Sequence, residues 1–310
     1  ILCKEVIYMS NDNKKEGVNK IGINWYPGHM VKAQNEIKEN LKLIDIVVEI
    51  LDARIPISSQ NPLVKELSKN KERIVVLNKA DLADEKKTKE WMKYFEKLGI
   101  LSIPCNTSNT ADIKKIIDAI KSVGEKIYKK KNENKAIKIN PIYRVLIIGI
   151  PNVGKSTLIN KISGKNSAMV GNKPGVTKKK QWIRVGNNID LLDTPGLLWP
   201  NLGDKQVGIK LALTGNIKQE ILDVEELACN GIDFLREDEE YKKIIIEKYN
   251  LQTIREDELS YDLLEKIGKK RGCLISGGNV DMQKASKCFL DDLKNGKIGK
   301  ITYDKIEEET

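Results

Sequence analysis

At 310 residues the chain has room for two domains, and a hydrophobic share of 40% is enough to pack their cores. No apolar run reaches the length of a membrane span, the expectation is a chain without a secretory leader, and the five dispersed cysteines, lacking CxxC spacing, read as reduced thiols of a cytoplasmic protein. The net charge of +10 is uneven: residues 1–204 hold 36 basic and 22 acidic side chains, 205–265 hold 8 and 15, and 266–300 hold 9 and 3, an alternation that fits a polyanionic partner better than a general Lys-rich bias.

Residues 1–22 read as a polar N-terminal extension, and residues 30–43 place apolar side chains at helical spacing. Ile46–Leu51 is an apolar run broken only by Glu49, the pattern of a buried parallel strand, and a loop rich in Pro, Ser and Asn follows over Arg54–Pro62. Ile74–Leu77 predicts a strand ending at Asn78, Asp84–Leu98 a helix, Ile100–Ile103 a short strand and Ile113–Tyr128 a helix. A charged stretch from 129 to about 140 reads as a linker. Then come a strand over Tyr143–Ile148, a helix over Lys155–Ile162, and a hairpin of Gln181–Val185 and Ile189–Leu192 around Gly186-Asn187-Asn188. Beyond residue 205 strand signals fade, and helices are expected near 206–213, 219–235, 238–248, 256–271 and 281–295. The fold class is therefore α/β: a mostly parallel sheet with helices on both faces over 23–204, followed by a small all-helical domain over 205–310.

Three motifs of one kind of site lie at strand ends. Gly149-Ile-Pro-Asn-Val-Gly154-Lys155-Ser156 matches a phosphate loop, whose glycines let backbone N–H groups face phosphate oxygens at a helix N-terminus. The candidate cradle runs through Asn152, Val153, Gly154, Lys155, Ser156 and Thr157; Lys155 reaches the β- and γ-phosphates, and the Ser156 hydroxyl is a Mg²⁺ ligand. Asp193-Thr-Pro-Gly196 reads as the metal-linked switch, with Asp193 on Mg²⁺ through water and the Gly196 N–H at the γ-phosphate. Asn78-Lys79-Ala80-Asp81 reads as a guanine reader. An Asp81 carboxylate can accept from both the ring N–H and the amino group of guanine, whereas adenine would leave it unpaired at a cost of roughly 1–3 kcal/mol, so GTP and GDP are preferred to adenine nucleotides. Lys79 can lay its aliphatic stem over the base. Thr177, in Lys173-Pro-Gly-Val-Thr177, is a candidate switch threonine on Mg²⁺ or an ordinary turn residue; Thr107 and Ser108 sit where a second base-contacting loop belongs.

The base reader precedes the phosphate loop, the reverse of the usual order, so the P-loop GTPase domain is circularly permuted. The position after the switch motif, where many GTPases carry a water-orienting Gln, is Leu197. The permutation places the segment before residue 30 beside that switch, and this segment holds His29, the chain's one histidine. His29 is a candidate for orienting water; the alternative is a loop histidine at a helix start. The permutation also runs the switch strand almost directly into the helical domain, so a change at the γ-phosphate has a short path to it.

With Asn78-Lys79-Ala80-Asp81 ahead of the phosphate loop, Trp25-Tyr-Pro-Gly-His29-Met30, Asp52-Ala-Arg-Ile-Pro-Ile-Ser-Ser-Gln-Asn-Pro62 and the tail Ser276-Gly-Gly-Asn-Val-Asp281, the chain resembles the ribosome biogenesis GTPase A family from about Ile23 to Asp304. The resemblance implies a Mg²⁺-dependent GTP hydrolase that helps mature the large ribosomal subunit, activated by the subunit and monomeric. It implies a catalytic role for His29 beside Lys155 and Thr177, and a K⁺ ion near Asn152. It also implies contact of the helical domain with rRNA of the precursor, here through Lys266, Lys269, Lys270, Arg271, Lys284, Lys287, Lys294, Lys297 and Lys300. A regulatory GTPase with a protein partner and a non-hydrolysing, GTP-dependent scaffold remain the alternatives.

Overall fold

The computed structural model describes residues 39–62, 64, 68–131, 141–164, 181–194, 204–219 and 222–306. Six strands form one sheet: β1 (Ile46–Asp52), β2 (Glu72–Asn78), β3 (Leu101–Cys105), β4 (Tyr143–Gly149), β5 (Gln181–Val185) and β6 (Ile189–Asp193). Their spatial order is β3-β2-β1-β4-β6-β5, with every pair parallel except β5–β6, a hairpin at one edge. All seven residues of β1 are buried, as a strand covered on both faces requires. Its exception to apolarity, Glu49, is met by Arg73 at 2.6 Å; burial pushes the Glu49 carboxyl up, and Arg73 only partly opposes this.

Period-2 alternation splits the strands between two cores. Ile46, Val48 and Ile50 of β1 join Ile74, Val76, Val145 and Ile147 on one face, packed by α2 (Thr110–Lys131) and α3 (Lys155–Ser163). Leu51, Val75 and Leu77 face the other way, onto Trp91 and Phe95 of α1 (Glu85–Lys97). α1 starts where it does because the Asp84 carboxylate caps the free N–H groups of Lys86 and Lys87.

Beyond the sheet lie α4 (Lys205–Leu213), α5 (Val224–Arg236), α6 (Glu239–Tyr249), α7 (Ser260–Lys270) and α8 (Met282–Lys294). α5, α7 and α8 pack closely at small residues: a side chain at Gly268 would lie 2.6 Å from Val280 and 2.8 Å from Ala285. The buried cluster under β1 and β4 continues into these helices through Leu211, Leu227, Leu263 and Phe289.

Several expected boundaries move, and the helix expected from 219 begins at Val224, after the Asp223 cap. The charged run expected to open a linker at 129 continues α2 as far as Lys131, since lysine is a good helix former and no Gly or Pro intervenes. The helix expected from 256 begins at Ser260, and Glu258, buried by its ion pair with Lys266, belongs to the preceding turn. Of the helix expected over 30–43, the described part is helical at 39–40 and tightens into a 3₁₀ turn at Leu41–Leu43.

Candidate functional site

Parallel register brings the motifs to one edge. Asp52 pairs with Asn78 and Asn78 with Cys105, while Gly149 and Asp193 end the neighbouring strands β4 and β6. Ligands of open α/β sheets bind at this carboxyl edge.

Asn78 leaves the end of β2 and donates its Nδ2 to the Val153 carbonyl at 2.7 Å, tying the base-reader segment to the phosphate loop. Gly154 makes this approach possible. Its φ is +101°, and a Cβ there would lie 2.2 Å from Asn78 Nδ2. Asn78 Oδ1 is buried and has no protein partner among the described residues. Asn152, also left-handed at φ +56°, turns the loop just before this contact.

Lys155 opens α3 and is buried; its Nζ meets Asp193 Oδ1 at 2.5 Å. Burial pushes the Lys155 ammonium below the ordinary lysine value, against the opposing pull of Asp193. The pair joins the lysine of the phosphate-loop motif to the aspartate that opens Asp193-Thr-Pro-Gly196. Thr194, next along, is fixed by donating its Oγ1 to the Ile147 carbonyl at 3.0 Å.

Lys79 follows Asn78 at φ +57° and donates to Asp52 Oδ2 at 2.8 Å. Asp81 stands exposed beyond it. The loop after β3 lies alongside, since the Ala80 N–H bonds the Cys105 carbonyl at 3.1 Å. Within it, the Ser108 N–H donates to Asn106 Oδ1, and Thr107 is half-buried between them. Burial and the nearby carboxylates of Asp112 and Asp81 push the Cys105 thiol up to about 12, which makes it a packing group rather than a nucleophile.

Beneath the base reader is a network the motifs alone did not single out. The Asp52 carboxylate is fully buried and takes both Nε (2.9 Å) and Nη2 (2.8 Å) of Arg54, Lys79 Nζ (2.8 Å) and Asn216 Nδ2 (3.0 Å). Burial alone would raise this carboxyl, but the charges of Arg54 and Lys79 prevail and hold it well below the usual carboxylate range. Arg54 also donates to the carbonyls of Thr214 (2.8 Å) and Lys294 (3.0 Å), so the end of β1 grips the ends of α4 and α8. A sequence signal for Asp52 existed, an acid closing an apolar strand. None marked Asn216, which lies 164 residues from Asp52.

The C-terminal stretch closes the same edge. The Ile301 N–H bonds the Leu82 carbonyl and the Tyr303 N–H the Arg54 carbonyl. Asp304 accepts from the Ile57 and Ser58 N–H groups, the Ser58 hydroxyl and Lys210.

His29, Thr177, Gly196 and Leu197 lie outside the described residues. The nine basic residues from Lys266 to Lys300 are all exposed. Lys266, Lys269, Arg271, Lys297 and Lys300 form ion pairs with Glu258, Glu265, Asp292, Asp292 and Glu85. The Lys294 stem faces Gly215. No helix among the described residues is long and apolar enough to cross a membrane.

The family described as 50S ribosome-binding GTPase matches residues 144–261. Ribosome biogenesis GTPase A of Bacillus cereus is 46% identical over 286 residues, 92% of this chain and 95% of the relative. That of Thermotoga maritima is 35% identical over 288 residues, 93% and 96% of the two chains. Among solved structures, a GDP-bound TM YlqF has a TM-score of 0.60 at 30% identity, covering 88% of this chain and 100% of that one. A GNP-bound YlqF from T. maritima has a TM-score of 0.59 at 31% identity, over 88% and 98%.

Proposed function

The chain belongs to the ribosome biogenesis GTPase A family and is a GTP-hydrolysing enzyme, and from there we propose that it binds a precursor of the large ribosomal subunit in its GTP form and leaves after hydrolysis. The observation that carries the nucleotide half of this reading is the 2.7 Å bond from Asn78 to Val153. It ties the base-reader motif directly to the phosphate-loop motif, 75 residues away in sequence, so that one ligand at this end of the sheet could touch both.

In this reading Asp81 accepts the two guanine donors, the Lys79 stem covers the base, and Thr107 and Ser108 close its far edge. The buried, unpartnered Asn78 Oδ1 supports a bound molecule here, because a buried polar atom that the fold does not satisfy costs free energy until something pairs with it. Backbone groups from Asn152 to Thr157 face the phosphates, and Lys155 exchanges its partner Asp193 for phosphate oxygens. Phosphate charge then takes over the counter-charge that Asp193 supplies to the buried ammonium. Ser156 and Thr177 would hold Mg²⁺ directly and Asp193 through water; the contact of Asp193 with Lys155, an acidic group beside the phosphate-loop lysine, supports this role. Mg²⁺, when bound, offsets the charge of the β- and γ-phosphates. Asn152 turns its Nδ2 toward the Gly215 and Asn216 carbonyls, at 3.5 and 3.4 Å, which leaves Oδ1 as the end a K⁺ ion would use. His29 takes the water-orienting role that Leu197 cannot fill.

Contact with the precursor's rRNA is assigned to the exposed basic residues of 266–300 on the helical domain 205–310, the 23–204 domain carrying the nucleotide. The protein acts as a monomer in the cytoplasm. The test is co-sedimentation with purified large subunits and GTPase assays with and without them, in K⁺ and in Na⁺. Binding should be stronger with a non-hydrolysable GTP analogue than with GDP, should fall steeply with salt, and subunits should raise turnover more in K⁺. Co-sedimentation independent of nucleotide would count against the assembly cycle, and salt-independent binding against the basic surface.

A further inference from the structure

Asn216 lies in the turn Thr214-Gly215-Asn216 that ends α4, and its side chain is fully buried. The orientation of its amide is dictated by chemistry. A carboxylate only accepts and an ammonium only donates, so Nδ2 must face Asp52 and Oδ1 must face Lys79. The geometry agrees: Nδ2 donates to Asp52 Oδ2 at 3.0 Å and to Thr214 Oγ1 at 2.8 Å, and Lys79 Nζ lies 3.4 Å from Oδ1. The amide puts its donor and its acceptor on two separate atoms, so one side chain can meet the anion and the cation from different sides. Aspartate would set a second carboxylate against Asp52, and leucine would leave both charges short of a partner.

The same turn touches the phosphate loop, through the Gly215 and Asn216 carbonyls against the Asn152 amide, and the Thr214 carbonyl accepts from Arg54. Gly215 permits the turn at φ +73°, and a Cβ there would collide with the Lys294 stem at 2.7 Å. One three-residue turn of the helical half therefore meets the base reader, the phosphate loop and the last helix.

We propose that Asn216 is a positioning residue of the nucleotide site, and that the Thr214–Asn216 turn is where the helical half senses an occupied guanine pocket. Asn216 and Asp52 hold the Lys79 ammonium from two directions, so the lysine stem follows a single path along the base. Nucleotide, in turn, steadies Lys79 and Asn152 and thereby the turn between them. Coupling of this kind is reciprocal: whatever bound nucleotide does to the turn, a partner that orders the turn does to nucleotide affinity. The proposal rests on the assignment of Lys79 and Asn152 to the nucleotide site.

The experiment is hydrogen exchange on the full wild-type chain with and without GDP, joined to a mutant cycle. The N–H groups of Gly215, Asn216 and Ile217 bond the carbonyls of Ala212 and Leu211, so their exchange reports opening of the turn. GDP is expected to slow exchange both at 150–156 and at 214–217. Protection of the phosphate loop alone overturns the proposal; protection at neither place refutes the site assignment instead. In GDP titrations Asn216→Ala should weaken binding roughly tenfold, the scale of one lost bond to a charged group. Lys79→Ala combined with Asn216→Ala should bind no more weakly than Lys79→Ala alone. Fully additive losses would show that Asn216 acts on stability rather than through Lys79. The exchange measurement decides the matter even where Asn216→Ala does not fold.

Discussion

Replacing Asp52 with asparagine removes one charge and almost no volume from the end of β1. The wild-type carboxylate is inaccessible to water and accepts from Arg54, Lys79 and Asn216. An amide of the same shape keeps one acceptor oxygen and turns the other position into a donor, which must face the guanidinium or the ammonium. Arg54, 3% exposed, keeps the Thr214 and Lys294 carbonyls but loses its counter-charge. Exposed ion pairs contribute about 0–1 kcal/mol, whereas removing one partner of a buried pair costs about 3–5 kcal/mol. Burial selects the second figure. Urea unfolding at pH 7 should therefore show Asp52→Asn less stable by about 3–5 kcal/mol. The folded-state pKa of Asp52 is depressed, so its stabilisation is fully present above the unfolded value near ~3.9 and is lost as pH falls through the folded value. The gap between wild type and variant should thus hold constant from neutral pH to about pH 5 and narrow only in stronger acid. A loss below about 1 kcal/mol, or a gap already closing near pH 6, would refute the buried-pair reasoning.

Gly154→Ala drives a methyl group onto Asn78 Nδ2 at a left-handed φ, so GDP affinity should fall at least about tenfold in a fluorescence titration; unchanged affinity would mean the Asn78–Val153 tie is dispensable. Asp304→Ala strands the Ile57 and Ser58 N–H groups and the Lys210 ammonium, and should cost about 2–3 kcal/mol in urea unfolding, with faster proteolysis after residue 300. His29→Ala should lower subunit-stimulated GTP hydrolysis by ~10²–10⁴ while leaving GTP affinity intact, and a wild-type rate would remove His29 from the mechanism.

Where sequence reading succeeded, the signal was local and periodic. β1 announces itself because a strand covered on both faces can be apolar throughout, and the phosphate loop because its glycines are needed one by one. The boundary of α2 was harder. Lys129, Lys130 and Lys131 look like a linker by composition, yet nothing in them breaks a helix already begun at Thr110. The candidate site stands in the sequence as three motifs, whereas the ion cluster beneath it does not. Asp52, Arg54, Lys79 and Asn216 come from the ends of β1, β2 and α4, and only folding makes one ion cluster of them. Glu49 and Asp304 were illegible for the same reason: each is a charge whose meaning depends on a partner far off in sequence.

The way the helical half is attached decides what a switch can move. Several of its contacts meet the ends of β1 and β2, Arg54 to Thr214 and Lys294, Lys79 to Asn216, Leu82 to Ile301, and Ser58 to Asp304, and others reach the start of α1, Asp84 to Tyr241 and Lys87 to Asp238. From the phosphate loop the same turn receives only the longer Asn152 contacts. α4 then has its Thr214 end and Lys210 tied by buried groups, and at its Lys205 end an ion pair with Glu226, exposed on both sides. Its Thr214 end is pinned by buried charge, while its Lys205 end continues from Asp193 through residues 194–204. A helix of nine residues is roughly 13 Å long. A displacement of the switch motif acting at Lys205 would be opposed along the axis of α4, because sliding would break the Arg54 and Asn216 bonds together. The expected response is a pivot of the helix about the Thr214–Asn216 turn. Rotation at that turn would draw on the backbone freedom of Gly215, at φ +73° with the Lys294 stem packed against it.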